Sequence, residues 1–171
     1  MQLVDICGRP LLNLRISITQ RCNNRCSYCH REGEVAVANR SSEKMTVEEI
    51  VRIARVGIEL GIVRVKLTGG EPLMREDLPE IIAGIASVEG LRDLSLTTNG
   101  LLLAQVAKQL YKCGLKRVNI SLPSLNPDTY RKVTGGNIED ALAGIKAAVE
   151  AGFCPVKLNM VIIKDINVGD I

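Results

Sequence analysis

The stretch Thr19-Gln-Arg-Cys22-Asn-Asn-Arg-Cys26-Ser-Tyr28-Cys29-His30 follows directly after alternating apolar and polar residues from Leu11 to Ile18. Such alternation is the period-2 pattern of a β-strand. Closely spaced cysteine thiolates on a short loop are the usual ligands of an iron–sulfur cluster. Cys22, Cys26 and Cys29 would bind three irons of a [4Fe-4S] cluster and leave the fourth iron open to a non-protein ligand. An open metal position is typical of catalytic sites.

Two other interpretations of these cysteines stay open. A structural zinc site needs four protein ligands, and His30 is the nearby candidate for the fourth. Because His30 adjoins Cys29, this pair is poorly placed to close a tetrahedron around one ion. The other interpretation is three unrelated thiols, which the regular spacing on a loop after a strand disfavours. Ligand count and spacing therefore favour a cluster.

The composition narrows the class of protein. The chain has 171 residues, 46% of them hydrophobic, which suffices for one domain with a buried core. Its net charge of +3 comes without a polybasic run, so no nucleic-acid partner is expected. No apolar stretch approaches the roughly 18 residues of a membrane-spanning helix, and no signal-peptide pattern opens the chain. Six cysteines without secretory features indicate a reducing compartment, and we expect a cytoplasmic protein without a membrane partner.

Strand and helix patterns alternate along the whole chain. Thr46 and Glu49 form a capping-box pattern at the start of the first helix, and Gly61 is a typical residue beyond a helix end. The predicted strands are Leu11–Ile18, Val63–Leu67, Asp93–Thr98, Arg117–Leu122 and Val156–Ile163. The predicted helices are Thr46–Leu60, Leu78–Ser87, Leu101–Cys113 and Ile138–Ala151, with a short helical turn over Pro127–Val133. This order predicts right-handed βαβ units and therefore an α/β domain with about five parallel strands.

The sequence contains no repeat or low-complexity linker, so residues 1–171 are expected to form one domain. The fifth strand would be an exposed parallel edge, which native domains usually cover. We therefore expect the sequence to be the N-terminal part of a longer protein.

Residues suited to ligand binding follow the predicted strands at their carboxyl ends, where parallel α/β sheets bind ligands. After the second strand, Gly69-Gly70-Glu71-Pro72 lets the backbone approach a ligand closely and offers N–H and C=O groups to a carboxylate or amine. After the third strand, Thr97-Thr98-Asn99-Gly100 offers hydroxyl groups, although either segment alone is also ordinary turn chemistry. After the fourth strand, the Ser121 hydroxyl is a candidate ligand-binding group.

Three cationic residues interrupt the apolar alternation of the strands: Arg15, Lys66 and Lys157. A buried cation is costly unless it is paired. If these side chains point into a barrel, they indicate an anionic ligand, and a triphosphate suits both arginine and lysine. Any one of them could equally lie on the outer face or extend its charged end into solvent. The occurrence of three such cations in the strands of one sheet favours binding of an anionic ligand.

The C-x3-C-x2-C motif with Tyr28 before the last cysteine resembles the signature of the radical S-adenosylmethionine (SAM) superfamily. Gly69-Gly70-Glu71-Pro72 is similar to the segment that binds the amino group of SAM in that superfamily. The resemblance implies an incomplete (β/α) TIM-like barrel of the radical SAM type, with a [4Fe-4S] cluster whose open iron is chelated by SAM. It also implies cleavage of SAM to methionine and a 5′-deoxyadenosyl radical, which abstracts a hydrogen atom from the substrate.

Similarity to one family of that superfamily, the GTP 3′,8-cyclases of molybdenum cofactor biosynthesis, extends through the whole chain. It covers Leu14–Thr19, the cysteine motif, Lys66–Arg75, Thr97–Gly100, Gly114–Ser121 and Gly152–Asn159, and the details look like archaeal members. The resemblance implies SAM contacts from Tyr28, Gly70 and Ser121, and GTP contacts from Arg15, Lys66, Thr97 and Lys157. It further implies a lyase reaction, in which hydrogen abstraction from ribose C3′ is followed by attack of that carbon radical on guanine C8.

Members of this family carry a second, C-terminal cluster of three cysteines that binds the guanine base. Cys7, Cys113 and Cys154 are too dispersed to replace it, so we expect this chain to need the missing C-terminal region for cyclisation of GTP. A protein reductant is the other implied partner. Two alternatives stay open: another radical SAM enzyme, acting in peptide maturation or haem modification, and a non-catalytic module that binds zinc or an iron–sulfur cluster.

Overall fold

The computed structural model describes residues 3–29 and 44–170, and five parallel strands form one sheet in this part of the chain. The strands are β1 (Asn13–Ser17), β2 (Arg64–Thr68), β3 (Asp93–Thr98), β4 (Arg117–Ser121) and β5 (Val156–Asn159). They lie in chain order, β1-β2-β3-β4-β5. Right-handed crossovers between consecutive neighbours place the connecting helices on one face of the sheet, as in the wall of a (β/α) barrel. The predicted α/β fold with five parallel strands is confirmed.

The helices follow the predicted order closely. They are α1 (Val47–Glu59), α2 (Leu78–Ala86), α3 (Leu103–Lys112), α4 (Pro127–Thr134) and α5 (Ile138–Ala151). The predicted capping box is present at the start of α1, where the Glu49 N–H donates to Thr46 Oγ1 and the Thr46 N–H donates to Glu49 Oε2. Capping of this kind satisfies two N–H groups that lack partners within the helix. The described helices include none that is long and apolar enough to cross a membrane.

One face of the sheet forms the hydrophobic core with the helices. Alternate strand residues such as Ile16, Leu67, Leu96 and Ile120 are at most 5% exposed and belong to one cluster with helical side chains. Burying each leucine or isoleucine stabilises the fold by about 1.5–3 kcal/mol. Since successive residues of a strand point to opposite faces, this core decides which residues lie on the other face.

The face opposite the helices is polar. One row across it runs Arg15, Lys66, Ser95, Arg117 on β1 to β4. The next row toward the carboxyl ends contains Thr97, Asn119 and Lys157 on β3 to β5. Parallel sheets covered on both faces carry apolar residues on both. The polar residues here indicate that this face is not a dry core.

The fifth strand is shorter than predicted, because it ends at Asn159 rather than at Ile163. Beyond it, the Asn167 side chain holds the chain in a turn. Its amide donates to the carbonyl oxygens of Pro123 (2.7 Å) and Val161 (2.8 Å), and its Oδ1 accepts from the Ile163 N–H (2.6 Å). This buried asparagine therefore bonds the backbone groups that a longer strand would have used for pairing.

The outer side of β5 is exposed, as expected for an edge strand. Leu158 lies in register with the core residue Ile120, yet 53% of its surface is exposed. Val161 and Ile162 just beyond the strand are also exposed. No described helix covers this part of the sheet.

Candidate functional site

The cysteine loop, residues 19–29, crosses the carboxyl end of β1 beside the Gly69–Pro72 segment that follows β2. The Gly70 N–H donates to the Thr19 carbonyl oxygen (2.8 Å), and the Glu71 N–H donates to that of Arg21 (2.7 Å). These bonds continue the β1–β2 pairing beyond the strands. The start of the cysteine loop and the glycine segment are thereby held as one unit at the ligand-binding end of the sheet.

Gly69 and Gly70 allow this close approach. A Cβ on Gly69 would lie 2.3 Å from the Thr19 carbonyl oxygen, and one on Gly70 would lie 2.3 Å from that of Arg21. Such distances are far below van der Waals contact, so a side chain at either position would displace the cysteine loop. The sequence predicts that these glycines bring backbone close to a ligand, and this stays a prediction. What the structure shows is their close approach to the cysteine loop.

The C-terminal end of α4 holds the other side of the cysteine loop. The Arg25 N–H donates to the Thr134 carbonyl oxygen and the Ser27 N–H to that of Val133, both at 2.8 Å. These two bonds flank Cys26. The last carbonyl groups of a helix lack partners within the helix, so the loop supplies donors that α4 needs. This contact was not predicted from the sequence.

The three thiols of the loop are grouped closely enough for their charges to interact. Burial is the main cause of a raised pKa at Cys22, and the charges of Glu71, Cys26 and Cys29 raise it further. The Asn24 N–H donates to Cys22 Sγ (3.4 Å) and opposes the rise. Cys22 and Cys26 are partly buried and Cys29 is exposed. Ligation of a cationic metal would favour the Cys22 thiolate, which this environment disfavours.

The donor set suits an iron–sulfur cluster, whose usual ligands are closely spaced cysteine thiolates. A zinc site needs its ligands around one point. Within residues 3–29 and 44–170, no group of three cysteine, histidine, aspartate or glutamate side chains meets that requirement. In a four-iron cluster each thiolate binds its own iron, so the three sulfurs need not converge on one point. His30, the candidate fourth zinc ligand, lies outside the described residues.

Glu71 links the glycine segment to the loop after β3. Its carboxylate is 1% exposed and accepts from Thr98 Oγ1 (2.6 Å), the Asn99 N–H (2.7 Å) and the Leu73 N–H (3.0 Å). Burial raises the pKa of Glu71, and these three hydrogen bonds oppose the rise. The carboxylate therefore fixes two strand-end loops relative to each other, which the sequence analysis did not assign to Glu71.

Arg75 performs a similar task beneath the cysteine loop. Its guanidinium is 4% exposed and donates to the carbonyl oxygens of Ile18 (2.7 Å) and Met45 (3.0 Å). It also forms a bidentate pair with Asp77 at 2.8 and 2.7 Å. Hydrogen bonds from Arg75, with a further one from Lys44, hold the pKa of the Asp77 carboxyl well below its usual range. The end of β1 and the start of α1 are tied together through this one side chain.

A cavity of about 280 Å³ lies on the polar face of the sheet, toward the amino ends of the strands. Four cations line it, Arg15, Arg64, Lys66 and Arg117, together with the carboxylate Asp93. Asp93 pairs with Arg117 at 2.9 Å. Among the described residues no carboxylate pairs with the other three cations, so the cavity carries an excess of positive charge.

Residues 16–171 match the family model described as "Radical SAM superfamily". The chain belongs to the radical SAM superfamily. It is 51% identical over 170 residues to a "Probable GTP 3′,8-cyclase" of Thermococcus kodakarensis, covering 99% of this chain and 53% of that protein. It is 46% identical over 173 residues to a "GTP 3′,8-cyclase" of Geobacter sulfurreducens, covering 100% of this chain and 52% of that protein. The chain thus spans about half the length of these curated relatives.

Two solved structures share the fold of this chain. Streptococcus suis SuiB superposes with a TM-score of 0.74 at 21% identity, over 90% of this chain and 34% of that chain. Methylornithine synthase superposes with a TM-score of 0.68 at 21% identity, over 91% of this chain and 45% of that chain. At these identities the likeness concerns the fold, the partial TIM-like barrel of the superfamily.

The structure places the predicted GTP-contacting residues of this radical SAM chain on one face but not in one cavity. Arg15 and Lys66 are direct neighbours in register and line the cationic cavity together. Thr97 and Lys157 lie in the next row, about 7 Å closer to the carboxyl ends. Asn119 stands between them in register and was not predicted.

The predicted SAM-contacting residues lie at the carboxyl end of the sheet. Gly70 is exposed beside the cysteine loop, Tyr28 is partly buried within that loop, and Ser121 is the last residue of β4. Burial is the main cause of a raised pKa at Tyr28, and the Cys26 charge contributes.

Arg64 and Arg117 are cavity residues that the sequence analysis missed. Both have the same strand parity as Arg15 and Lys66. This shared parity was the signal in the sequence that could have identified them.

Two buried polar side chains, one in the cysteine loop and one packed against it, were also missed. Asn24 is 5% exposed and Tyr130 of α4 is fully buried. Burial is the main cause of a raised pKa at Tyr130, to about 12, and the charge of the nearby Cys26 contributes. Asn24 and Thr134 are near enough to lower it in part. A tyrosine on a helix about 100 residues from the motif gives no signal in the sequence.

Proposed function

We propose that residues 1–171 are the radical SAM core domain of a GTP 3′,8-cyclase, the enzyme of the first step of molybdenum cofactor biosynthesis. Curated relatives at 45–51% identity over nearly the whole chain carry that name. The observation that carries the substrate assignment is the cationic cavity on the sheet face opposite the helices. Three of its four cations have no carboxylate partner among the described residues, which suits a triphosphate.

The cluster and SAM would be held at the carboxyl end of the sheet. Cys22, Cys26 and Cys29 are the three ligands of a [4Fe-4S] cluster, and SAM contacts Tyr28, Gly70 and Ser121. When bound, the cluster and SAM supply one-electron cleavage of SAM and hydrogen-atom abstraction. The protein contributes position: Gly70 leaves its backbone open to a ligand while the bonds from Gly70 and Glu71 hold the loop.

GTP would lie across the polar face, with Thr97 and Lys157 nearer the cluster and the triphosphate toward Arg15 and Lys66. Arginine and lysine balance a triphosphate, and the guanidinium can bind two phosphate oxygens at once. The spacing of the two rows, about 7 Å, lets one extended nucleotide contact both. Arg64 belongs to the same cavity and adds charge to it.

Further partners belong to the same proposal. A C-terminal region of the same protein would complete the barrel beside β5, where Leu158 is exposed on the side that helices cover elsewhere. A protein reductant would supply the electron, and the lyase reaction would take place in the cytoplasm. Without the C-terminal region we expect the chain not to cyclise GTP, and turnover by the purified chain would contradict this.

Anaerobic reconstitution with iron and sulfide, followed by EPR of the reduced chain with and without SAM, tests the cluster site. The expected result is a four-iron signal that changes when SAM is added. A chain that binds one zinc ion and forms no cluster would instead support a structural metal module.

Binding of GTP to the reconstituted chain tests the substrate assignment. Lys66→Gln removes one cavity cation, and we expect about tenfold weaker binding because one charged hydrogen bond contributes about 1.5 kcal/mol. Lys108→Gln removes an exposed lysine of α3 and serves as the matched control. Equal affinities of these two variants, or no GTP binding by the unsubstituted chain, would contradict the assignment.

A further inference from the structure

Two polar side chains, one in the cysteine loop and one packed against it, are buried without hydrogen-bond partners. They are the carboxamide of Asn24 and the hydroxyl of Tyr130, which are 5% and 0% exposed. The Asn24 side chain is near enough to the Tyr130 hydroxyl to affect its pKa, but no hydrogen bond joins the two groups. Leaving such a group unpaired costs about 1–3 kcal/mol, so each calls for a physical reason.

The position of Tyr130 next to the Cys26 part of the loop gives a reason for its unpaired hydroxyl. The carbonyl groups of Val133 and Thr134, in the next turn of α4, accept the Arg25 and Ser27 N–H groups on either side of Cys26. Tyr130 is thus held against the Cys26 part of the loop by the backbone, independently of its own hydroxyl. Phenylalanine would fill the same space, so packing does not account for the oxygen.

We propose that the Tyr130 hydroxyl, with the Asn24 amide beside it, donates a hydrogen bond to sulfur at the Cys26 corner of the bound cluster and so makes the cluster easier to reduce. The inference rests on the proposed cluster site. A neutral phenol is a donor at any physiological pH. One-electron reduction adds negative charge to the cluster and its sulfurs, and hydrogen bonds to those sulfurs are known to set cluster potentials. Tyr130 would be a positioning residue that acts on the electron-transfer step.

Tyr130→Phe tests this in the reconstituted chain. We expect the reduction equilibrium constant, measured by redox titration followed by EPR, to fall about tenfold, which is about 59 mV for one electron. Thermal stability should stay the same or rise, because the removed hydroxyl has no partner in the protein. The matched control is Tyr111→Phe, a partly buried tyrosine of α3 whose ring stacks edge-on against Phe153.

A second measurement does not depend on the potential. In a chain exchanged into heavy water, pulsed EPR of the reduced cluster should show a deuteron coupling that Tyr130→Phe removes and Tyr111→Phe retains. An unchanged potential with an unchanged coupling in a fully loaded Tyr130→Phe chain would overturn the inference and leave the cluster proposal intact. If the unsubstituted chain takes up no cluster, both proposals fail.

Discussion

Replacing Glu71 with glutamine tests how the two strand-end loops are held together. Oε1 of the carboxylate accepts from Thr98 and Leu73, and Oε2 accepts from the Asn99 N–H. Glutamine has one oxygen, so it can keep the pair of bonds at Oε1. Its NH2 group must then face the Asn99 N–H, which puts two donors against each other in a buried site.

The expected loss follows from these contacts. An unsatisfied buried donor costs about 1–3 kcal/mol, and the two retained bonds become weaker because their acceptor is no longer charged. Relief from burying a charge offsets part of this. We therefore expect Glu71→Gln to lower the free energy of unfolding by about 2 kcal/mol. With a urea m-value of about 2 kcal/mol/M for a domain of this size, the midpoint moves by about 1 M.

Urea unfolding of the metal-free chain at pH 7, followed by far-UV circular dichroism, measures the shift. Glu89→Gln replaces an exposed glutamate in the connection after α2 and is the control, with no change expected. If Glu71→Gln unfolds at the same urea concentration as this control, the carboxylate does not hold the loops and the reasoning is refuted.

Three further predictions follow from other contacts. Asp77→Asn should reduce the stability that the chain loses below about pH 4. Arg75 lowers the pKa of Asp77 in the folded state, so the unfolded state takes up the proton first and acid favours unfolding. Urea midpoints that fall equally in both chains between pH 6 and pH 3 would contradict this. Gly70→Ala should lower the free energy of unfolding by about 1–3 kcal/mol and reduce iron incorporation, because its Cβ would meet the Arg21 carbonyl. The control Gly169→Ala has open space around its Cβ and should change neither quantity. The measurement is the amount of iron per chain after reconstitution. Asn167→Ala should lower the free energy of unfolding by about 2 kcal/mol, because three hydrogen bonds of the Asn167 side chain are lost. A urea midpoint within about 0.2 M of that of the unsubstituted chain would contradict this.

Much of the fold could be predicted because its signals are local. Alternation of apolar and polar residues located all five strands, and the Thr46–Glu49 pattern located the start of α1 to the residue. Strand parity also placed Arg15, Lys66 and Lys157 on one face, as expected from the period of 2. The predicted end of β5 was wrong because the side chain of Asn167, eight residues after the strand, forms hydrogen bonds with the backbone that follows it.

The sequence by itself determined the fold class, the three grouped cysteines and the shared strand parity of Arg15, Lys66 and Lys157, since side-chain period and motif spacing are properties of short segments. The tertiary structure alone decided that Lys66 lines a cavity with Arg15 but not with Lys157, and that Glu71 holds the loop after β3. It alone brought Tyr130 to the cysteine loop. These contacts join residues tens to more than 100 positions apart, and they arise only when the helices pack on one face of a sheet in a definite register.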